Sequence, residues 1–215
     1  MSSVRAVAFD FNGTLSHDEP ILYSVYRDMF SENGRPLRES DYYGRLAGLS
    51  EDRIINMWLG VEGEALASLV EQRIARYLAR VGEGETVPDA VREAVAYAAG
   101  RVPVAVVSGA FRREIEPVLA AANLDRYVSV LVAADDVERG KPDPAGYLRA
   151  LGLLDIGVAP GEMVAVEDTE AGVASAKAAG LYCVAVLGTH PPERLQVADE
   201  IVEAIDVDLL RHLLG

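Results

Sequence analysis

The sequence predicts an α/β protein: a doubly wound parallel sheet carrying an all-helical insertion near its start. Three observations support this. Short apolar runs recur along the chain and are continuous rather than alternating, as strands are when both faces of a parallel sheet are covered. Helix-period segments separate these runs, which implies parallel strands joined by right-handed crossovers. Between residues 18 and 86 the pattern changes to helices alone.

Taken in order, the first run is Val4–Phe9, and it stops abruptly on Asp10. The insertion follows. "PILYSVYRDMFSENG" is an amphipathic helix ending at Gly34. "SEDRIINMWLG" is a short helix with Ser50 as its N-cap, and Glu64–Val81 is a longer one. "GEGETVP" at 82–88 reads as the returning hinge. A helix over Pro88–Gly100 then leads to the strand "VPVAVV" at 102–107. Next come a helix over Phe111–Ala122, the strand "VSVLVAA" at 128–134 and a helix over Asp143–Leu153 opened by Asp-Pro. The strand "MVAV" at 163–166, a helix over Thr169–Ala179 closed by Gly180, and "CVAVL" at 183–187 complete the alternation. The expected organisation is a discontinuous, Rossmann-like core of residues 1–17 and 87–215, with a small helical cap domain of residues 18–86. The acidic stretch from Glu193 to Asp208 is expected to be a solvated face.

At 215 residues the chain is long enough for one large core plus a satellite. Its net charge of −14 repels nucleic acid and anionic membranes, so neither is an expected partner. An anionic substrate would need local positive charge or a metal. The single cysteine, Cys183, lies in an apolar run and reads as a core residue. One cysteine allows no internal disulfide, which fits a reducing compartment. The N-terminus lacks the apolar stretch of a signal peptide, and no run approaches the ~18 apolar residues of a membrane helix. A cytoplasmic protein is expected.

Ligands of an open parallel sheet bind at the carboxyl ends of its strands. The residues following successive strands are Asp10, Asn12 and Thr14, then Ser108 and Gly109, then Lys141 in "GKPDP", then Glu167 and Asp168. Each piece alone has an ordinary structural explanation: a turn former, a helix cap, a solvated lysine, an acid pair on a helix dipole. Together, at one end of successive strands, they would converge on one crevice.

These residues carry a resemblance. "DFNGTL", "VVSGA", "GKPDP" and "VAVEDTEAG" resemble, in order, the four motifs of the haloacid dehalogenase superfamily in its phosphatase and phosphomutase branch. The helical insertion after the first motif resembles that branch's cap, so the likeness covers nearly the whole chain. The resemblance implies hydrolysis of a small phosphorylated metabolite through an aspartyl-phosphate on Asp10. It implies Mg²⁺ held by Asp10, the carbonyl of Asn12 and Asp168, with Glu167 beside or behind them. It also implies phosphate held by Ser108, Gly109 and Lys141. No obligate protein partner is expected.

The departure from the family pattern is Asn12, where the branch has the Asp that protonates the leaving group and then activates water. A carboxamide can do neither, and general acid–base help is worth roughly 10²–10⁴-fold. Four explanations stay open: a substrate with a good leaving group; substitution by His17, Asp18 or Glu19; a long-lived phospho-enzyme that makes the protein a slow enzyme or a phosphate-responsive binder; or an Asn that is not the natural residue. The mutase alternative is weaker, because Glu51 in "GLSED" stands where the resembling mutases carry Arg. Arg45 and Arg53 are candidates to grip an anionic substrate. Tyr42, Tyr43 and Trp58 are candidates for pocket or cap core, and Arg112 and Arg113 for a substrate contact or a solvated pair. His190 and His212 are not expected to be catalytic.

Overall fold

A computed structural model describes residues 3–82 and 84–215. Met1 and Ser2 of the expected core segment, and Glu83 of the expected hinge, lie outside the described residues. The sheet has six strands: β1 (Ala6–Phe9), β2 (Val104–Val107), β3 (Val128–Val132), β4 (Met163–Glu167), β5 (Tyr182–Val186) and β6 (Glu200–Val202). Their order is β3-β2-β1-β4-β5-β6, and every pairing is parallel. Among the described residues, no helix is long and apolar enough to cross a membrane.

Side-chain size alternates along the central strands, and this sets the layers. Val7, Phe9, Val104, Val106, Val164, Val166, Val184 and Val186 point to one face. Ala6, Ala8, Ala105, Ala165, Cys183 and Ala185 point to the other. The small-residue face is covered by α7 (Ala145–Leu154) and α8 (Glu170–Ala178). The larger face is covered by α5 (Asp89–Ala99), α6 (Arg112–Ala121) and α9 (Val207–Leu214). Each fully buried Val or Phe contributes about 1.5–3 kcal/mol by leaving water. Cys183 is fully buried in this core, as expected.

Between β1 and α5 the regular elements among the described residues are helices: α1 (Glu19–Glu32), α2 (Glu39–Asp41), a π-helical turn at Tyr42–Leu46, α3 (Glu51–Leu59) and α4 (Gly63–Arg80). Buried Leu22, Tyr26, Met29 and Phe30 of α1, with Ile54, Ile55, Leu69, Ile74 and Tyr77, form one apolar cluster. Phe11 and Leu15 make it continuous with the larger face of the sheet. Ser50 occupies the N-cap position of α3, but its side chain makes no capping bond. At α7 the cap position is Pro144; Asp143 acts one residue earlier, its Oδ1 accepting from Ala145 N at 3.0 Å.

The acidic C-terminal stretch is not simply a solvated face. Three of its residues form the edge strand β6, in register with β5 from Val184/Glu200 to Val186/Val202. Backbone hydrogen bonds carry such a strand, so its acidic neighbours can stay in water. A run as short as "EIV" gives no periodic signal. The following α9 buries Leu209, Leu210 and Leu213.

Candidate active site

The strand order reverses between β1 and β4, where an open α/β sheet leaves its crevice. The register Phe9/Val166 sets Asp10 beside the carboxyl end of β4. Asp10 N donates to Val166 O at 2.9 Å, so the ladder continues to the aspartate itself. The chain then turns tightly, with Ser16 N donating to Phe11 O and Gly13 N to Ser16 O. Gly13 has φ +75°, and a Cβ there would lie 2.1 Å from Asp168 Oδ2. Only glycine allows the two loops to approach so closely. Thr14 Oγ1 donates to Asp168 Oδ1 at 3.0 Å and fixes that carboxylate.

Lys141 links the first and fourth loops. Its Nζ is ion-paired with Asp10 Oδ1 and lies 2.6 Å from Glu167 Oε1. Nζ also donates to Val107 O at 3.0 Å. Tyr147 of α7 donates to Glu167 Oε1 at 2.5 Å. Burial alone would lower the Lys141 pKa, but Asp10 and Glu167 hold it above its ordinary value. Burial pushes the Glu167 carboxyl up to about 7 against the pull of Lys141. Burial and then the charge of Asp10 hold Asp168 well above the usual carboxylate range.

The ligand oxygens of Asp10, Glu167 and Asp168 lie within 4.8 Å of one another. Glu167 Oε2 and Asp168 Oδ2 are buried without a hydrogen-bond partner. Three carboxylates thus face one ammonium, and two oxygens are unsatisfied. A hard, oxygen-preferring cation fits that donor set. On the other side of Asp10, Ser108 and Gly109 form the turn after β2, with Ser108 Oγ accepting from Ala110 N at 3.1 Å.

The helical insertion roofs this crevice. A cavity of about 40 Å³ runs between Asp10, Asn12, Ser108, Gly109 and Lys141 below and Glu19, Tyr26, Tyr42, Glu51 and Arg73 above. Arg73 is 1% exposed; its Nε lies 2.7 Å from Glu51 Oε2, and its Nη1 is ion-paired with Glu114 of α6. Its guanidinium packs over the rings of Tyr26 and Tyr77. Arg113 of α6 donates to Glu71 of α4 at 2.7 Å. A Cβ on Gly48 would lie 2.7 Å from Thr169 Cβ, so the turn before α3 sits directly on the fourth loop.

The three candidates for the missing acid separate. His17 is exposed and lines a shallower depression with Gly13 and Thr189. Asp18 is buried, and its Oδ2 accepts from Asn12 Nδ2 at 2.9 Å and from Tyr77 OH at 2.5 Å. Burial raises its pKa against those bonds. Glu19 lines the cavity with Asp10 and Asn12. Its Oε2 accepts from Tyr42 OH at 2.8 Å, while burial and then Asp18 push its carboxyl up to about 8.

Arg45 and Arg53 are exposed and outside this cavity; Arg53 lines a neighbouring surface depression that also reaches Lys141. Tyr42 lines the cavity; Tyr43 lines the outer depression; Trp58 stacks on Phe30. Arg112 is taken by Asp136 and Arg113 by Glu71. His190 holds the start of α8, its Nδ1 accepting from Glu170 N at 3.0 Å, and burial lowers its pKa to about 4. His212 is exposed beside Glu200. Sequence reasoning missed Tyr26, Glu51 and Arg73 as cavity residues, and Tyr147 as the partner of Glu167. The one available signal was an arginine on the apolar side of an amphipathic helix, Arg73 between Val70 and Tyr77.

An acid cluster, a lysine and a small-residue turn at the switch point of a doubly wound sheet define an enzyme site. A haloacid dehalogenase-like hydrolase family model matches residues 4–180, and the chain belongs to that family. It is 30% identical over 201 residues to a validoxylamine A 7'-phosphate phosphatase of Streptomyces hygroscopicus subsp. limoneus, covering 93% of each protein. It is 32% identical over 187 residues to a phosphorylated carbohydrates phosphatase of Thermotoga maritima, covering 83% of this chain and 82% of that one. Its fold matches CbbY of Rhodobacter sphaeroides in complex with xylulose-(1,5)bisphosphate with a TM-score of 0.83 at 26% identity, covering 94% and 95% of the two chains.

Proposed function

We propose that the protein is a Mg²⁺-dependent phosphatase of a small phosphorylated metabolite, acting through an aspartyl-phosphate on Asp10, with the helical insertion as its cap. The observation that carries this is the pairing of buried Asp10 with Lys141 beside an acid cluster holding two unsatisfied oxygens. The family membership and the relatives' names support the reaction class.

Asp10, the Asn12 carbonyl and Asp168 would hold the cation, with Glu167 behind them. Bound there, it would lower the repulsion between carboxylate and phosphate. Lys141 orients Asp10 through their ion pair and would offset charge on the incoming phosphoryl group, and Ser108 with the Gly109 amide receives phosphoryl oxygens. Asp10 attacks phosphorus, and the leaving oxygen departs with a proton. Water then attacks the aspartyl-phosphate, loses a proton and frees phosphate. Asn12 can supply neither proton transfer. Glu19, which lines the cavity with Asp10 and Asn12 and is pushed up to about 8 by burial, would supply part of that transfer. Opening of the cap would admit the substrate, and its closure would exclude water during the chemistry.

The mutase reading has less support. Glu51, at the position in question, is buried against Arg73 and gives no free cation. The test of the phosphatase reading is acid-quench trapping of phospho-Asp10 with p-nitrophenyl phosphate and Mg²⁺. Asp10→Asn should abolish both label and turnover, and chelation should abolish turnover. Turnover that survives Asp10→Asn, or exhaustive chelation, overturns the reading.

A further inference from the structure

The upper half of the cavity, which faces the position of the phosphoryl group, is built almost wholly from the insertion. Among the described residues lining the cavity, the cations are Lys141 and Arg73. Lys141 is engaged by Asp10 and Glu167 at the phosphoryl end. Arg73 lies between two carboxylates, Glu51 from the insertion and Glu114 from the core, and both partners are buried. The remaining polar lining of this half is Glu19, Tyr26 and Tyr42, which offer carboxyl and phenol groups and no positive charge.

We infer that the substrate carries no anionic group besides the phosphoryl transferred, and that its remainder is a hydroxyl-rich, uncharged or amine-bearing skeleton. This deepens the phosphatase reading and rests on it. A second phosphate or a carboxylate would be desolvated against Glu51, itself held by Arg73, with no free cation among the residues lining the cavity to meet it, and a buried unpaired charge is strongly disfavoured. Specificity here comes from repulsion built into the pocket as much as from attraction. Hydroxyls meet a matched surface. A carboxyl held protonated by burial both donates and accepts, and the Tyr26 and Tyr42 phenols already sit in hydrogen bonds to Glu51 and Glu19 that a substrate hydroxyl can join. An ammonium group would find the Glu51 carboxylate and the accepting oxygen of the Glu19 carboxyl.

The experiment measures kcat/KM with Mg²⁺ for glucitol 6-phosphate, glucosamine 6-phosphate, 2-phosphoglycolate, fructose 1,6-bisphosphate and p-nitrophenyl phosphate. The first four leave as alkoxides, so the missing acid at Asn12 slows them alike. The two substrates without a second anion should exceed the two anionic ones by about 100-fold or more, the scale of a like charge placed in a desolvated pocket. Glu51→Gln should leave Arg73 with one carboxylate and raise the ratio of anionic to polyol turnover by about 10-fold or more. A ratio between substrates on one protein does not change when part of the variant fails to fold. Either anionic ester turning over within tenfold of glucitol 6-phosphate overturns the inference, as does an unchanged ratio in Glu51→Gln. Failure to hydrolyse any of the five, p-nitrophenyl phosphate included, overturns the phosphatase reading and the inference with it.

Discussion

Asn12→Asp is the most informative single perturbation of this site. Asn12 Nδ2 donates to Asp18 Oδ2 at 2.9 Å, and Asp18 is wholly buried. A carboxyl at position 12 would therefore sit against a second carboxyl whose pKa burial already raises. At an effective dielectric of 20, two unit charges 4 Å apart repel by about 4 kcal/mol. At about 1.36 kcal/mol per pKa unit, this separates the two ionisations by roughly three units. The pair then shares one proton across neutral pH and titrates as a unit. A shared proton beside Asp10 is what departure of an alkoxide requires. General acid–base help is worth roughly 10²–10⁴-fold. Because Glu19 already supplies part of it, turnover of alkyl phosphates should rise by at least about 10-fold. A p-nitrophenolate leaves without a proton, so p-nitrophenyl phosphate should gain less. The variant loses an amide-to-carboxylate bond, of a kind worth about 1.5–3 kcal/mol. The shared proton restores a bond only while it is held. A carboxyl with a raised folded-state pKa stabilises below that pKa and loses this contribution as pH rises through it. The Tm of Asn12→Asp should therefore fall progressively below the parent's as pH rises and the pair loses its last proton. The assay is steady-state turnover of glucitol 6-phosphate and p-nitrophenyl phosphate by parent, Asn12→Asp and Asp10→Asn, with Tm against pH. If Asn12→Asp leaves alkyl turnover unchanged while the parent hydrolyses both esters equally fast, proton transfer is not impaired and the role given to Asn12 is wrong.

Two further outcomes follow from particular contacts. Glu19 is held up to about 8 by burial and then by Asp18, with Asp10 and Glu51 adding to the shift; the folded state thus binds a proton that the unfolded chain releases near its ordinary pKa. Stability should decline between about pH 4.5 and 8, by at most about 1.4 kcal/mol per unit from this group. Glu19→Gln should flatten that decline in thermal melts and lower alkyl phosphate turnover more than aryl; an unchanged slope refutes the assignment. Gly48→Ala would drive a Cβ to within 2.7 Å of Thr169 from a backbone at φ +85°, so it should hold the helical insertion off the fourth loop. We expect lower kcat and raised KM with Tm within a few degrees of the parent, and unaltered kinetics would show that closure does not need this contact.

The amino-acid sequence determined the core of this protein. Continuous apolar runs ending in Asp10, Ser108 and Glu167-Asp168 are local signals, and a buried parallel strand with polar groups at its carboxyl end is legible wherever it occurs. The same is true of the helical insertion, whose 3.6-residue period covers its three longest helices. Parallel pairing then sets those strand ends side by side, so Asp10, Lys141, Glu167 and Asp168 could be expected to meet before any coordinates existed. Two things were decided only by tertiary structure. The edge strand Glu200–Val202 exists through backbone bonds to β5, which are indifferent to its acidic side chains. The upper half of the cavity depends on how the insertion seats on the core. Arg73 and Glu51, 22 positions apart in sequence, meet Glu114 from another layer. Arg45 and Arg53, which looked better placed, turn to solvent. A helix's own sequence says which face is apolar, but the identity of the charge that face meets is set by a partner far away in the chain, and only packing brings the two together.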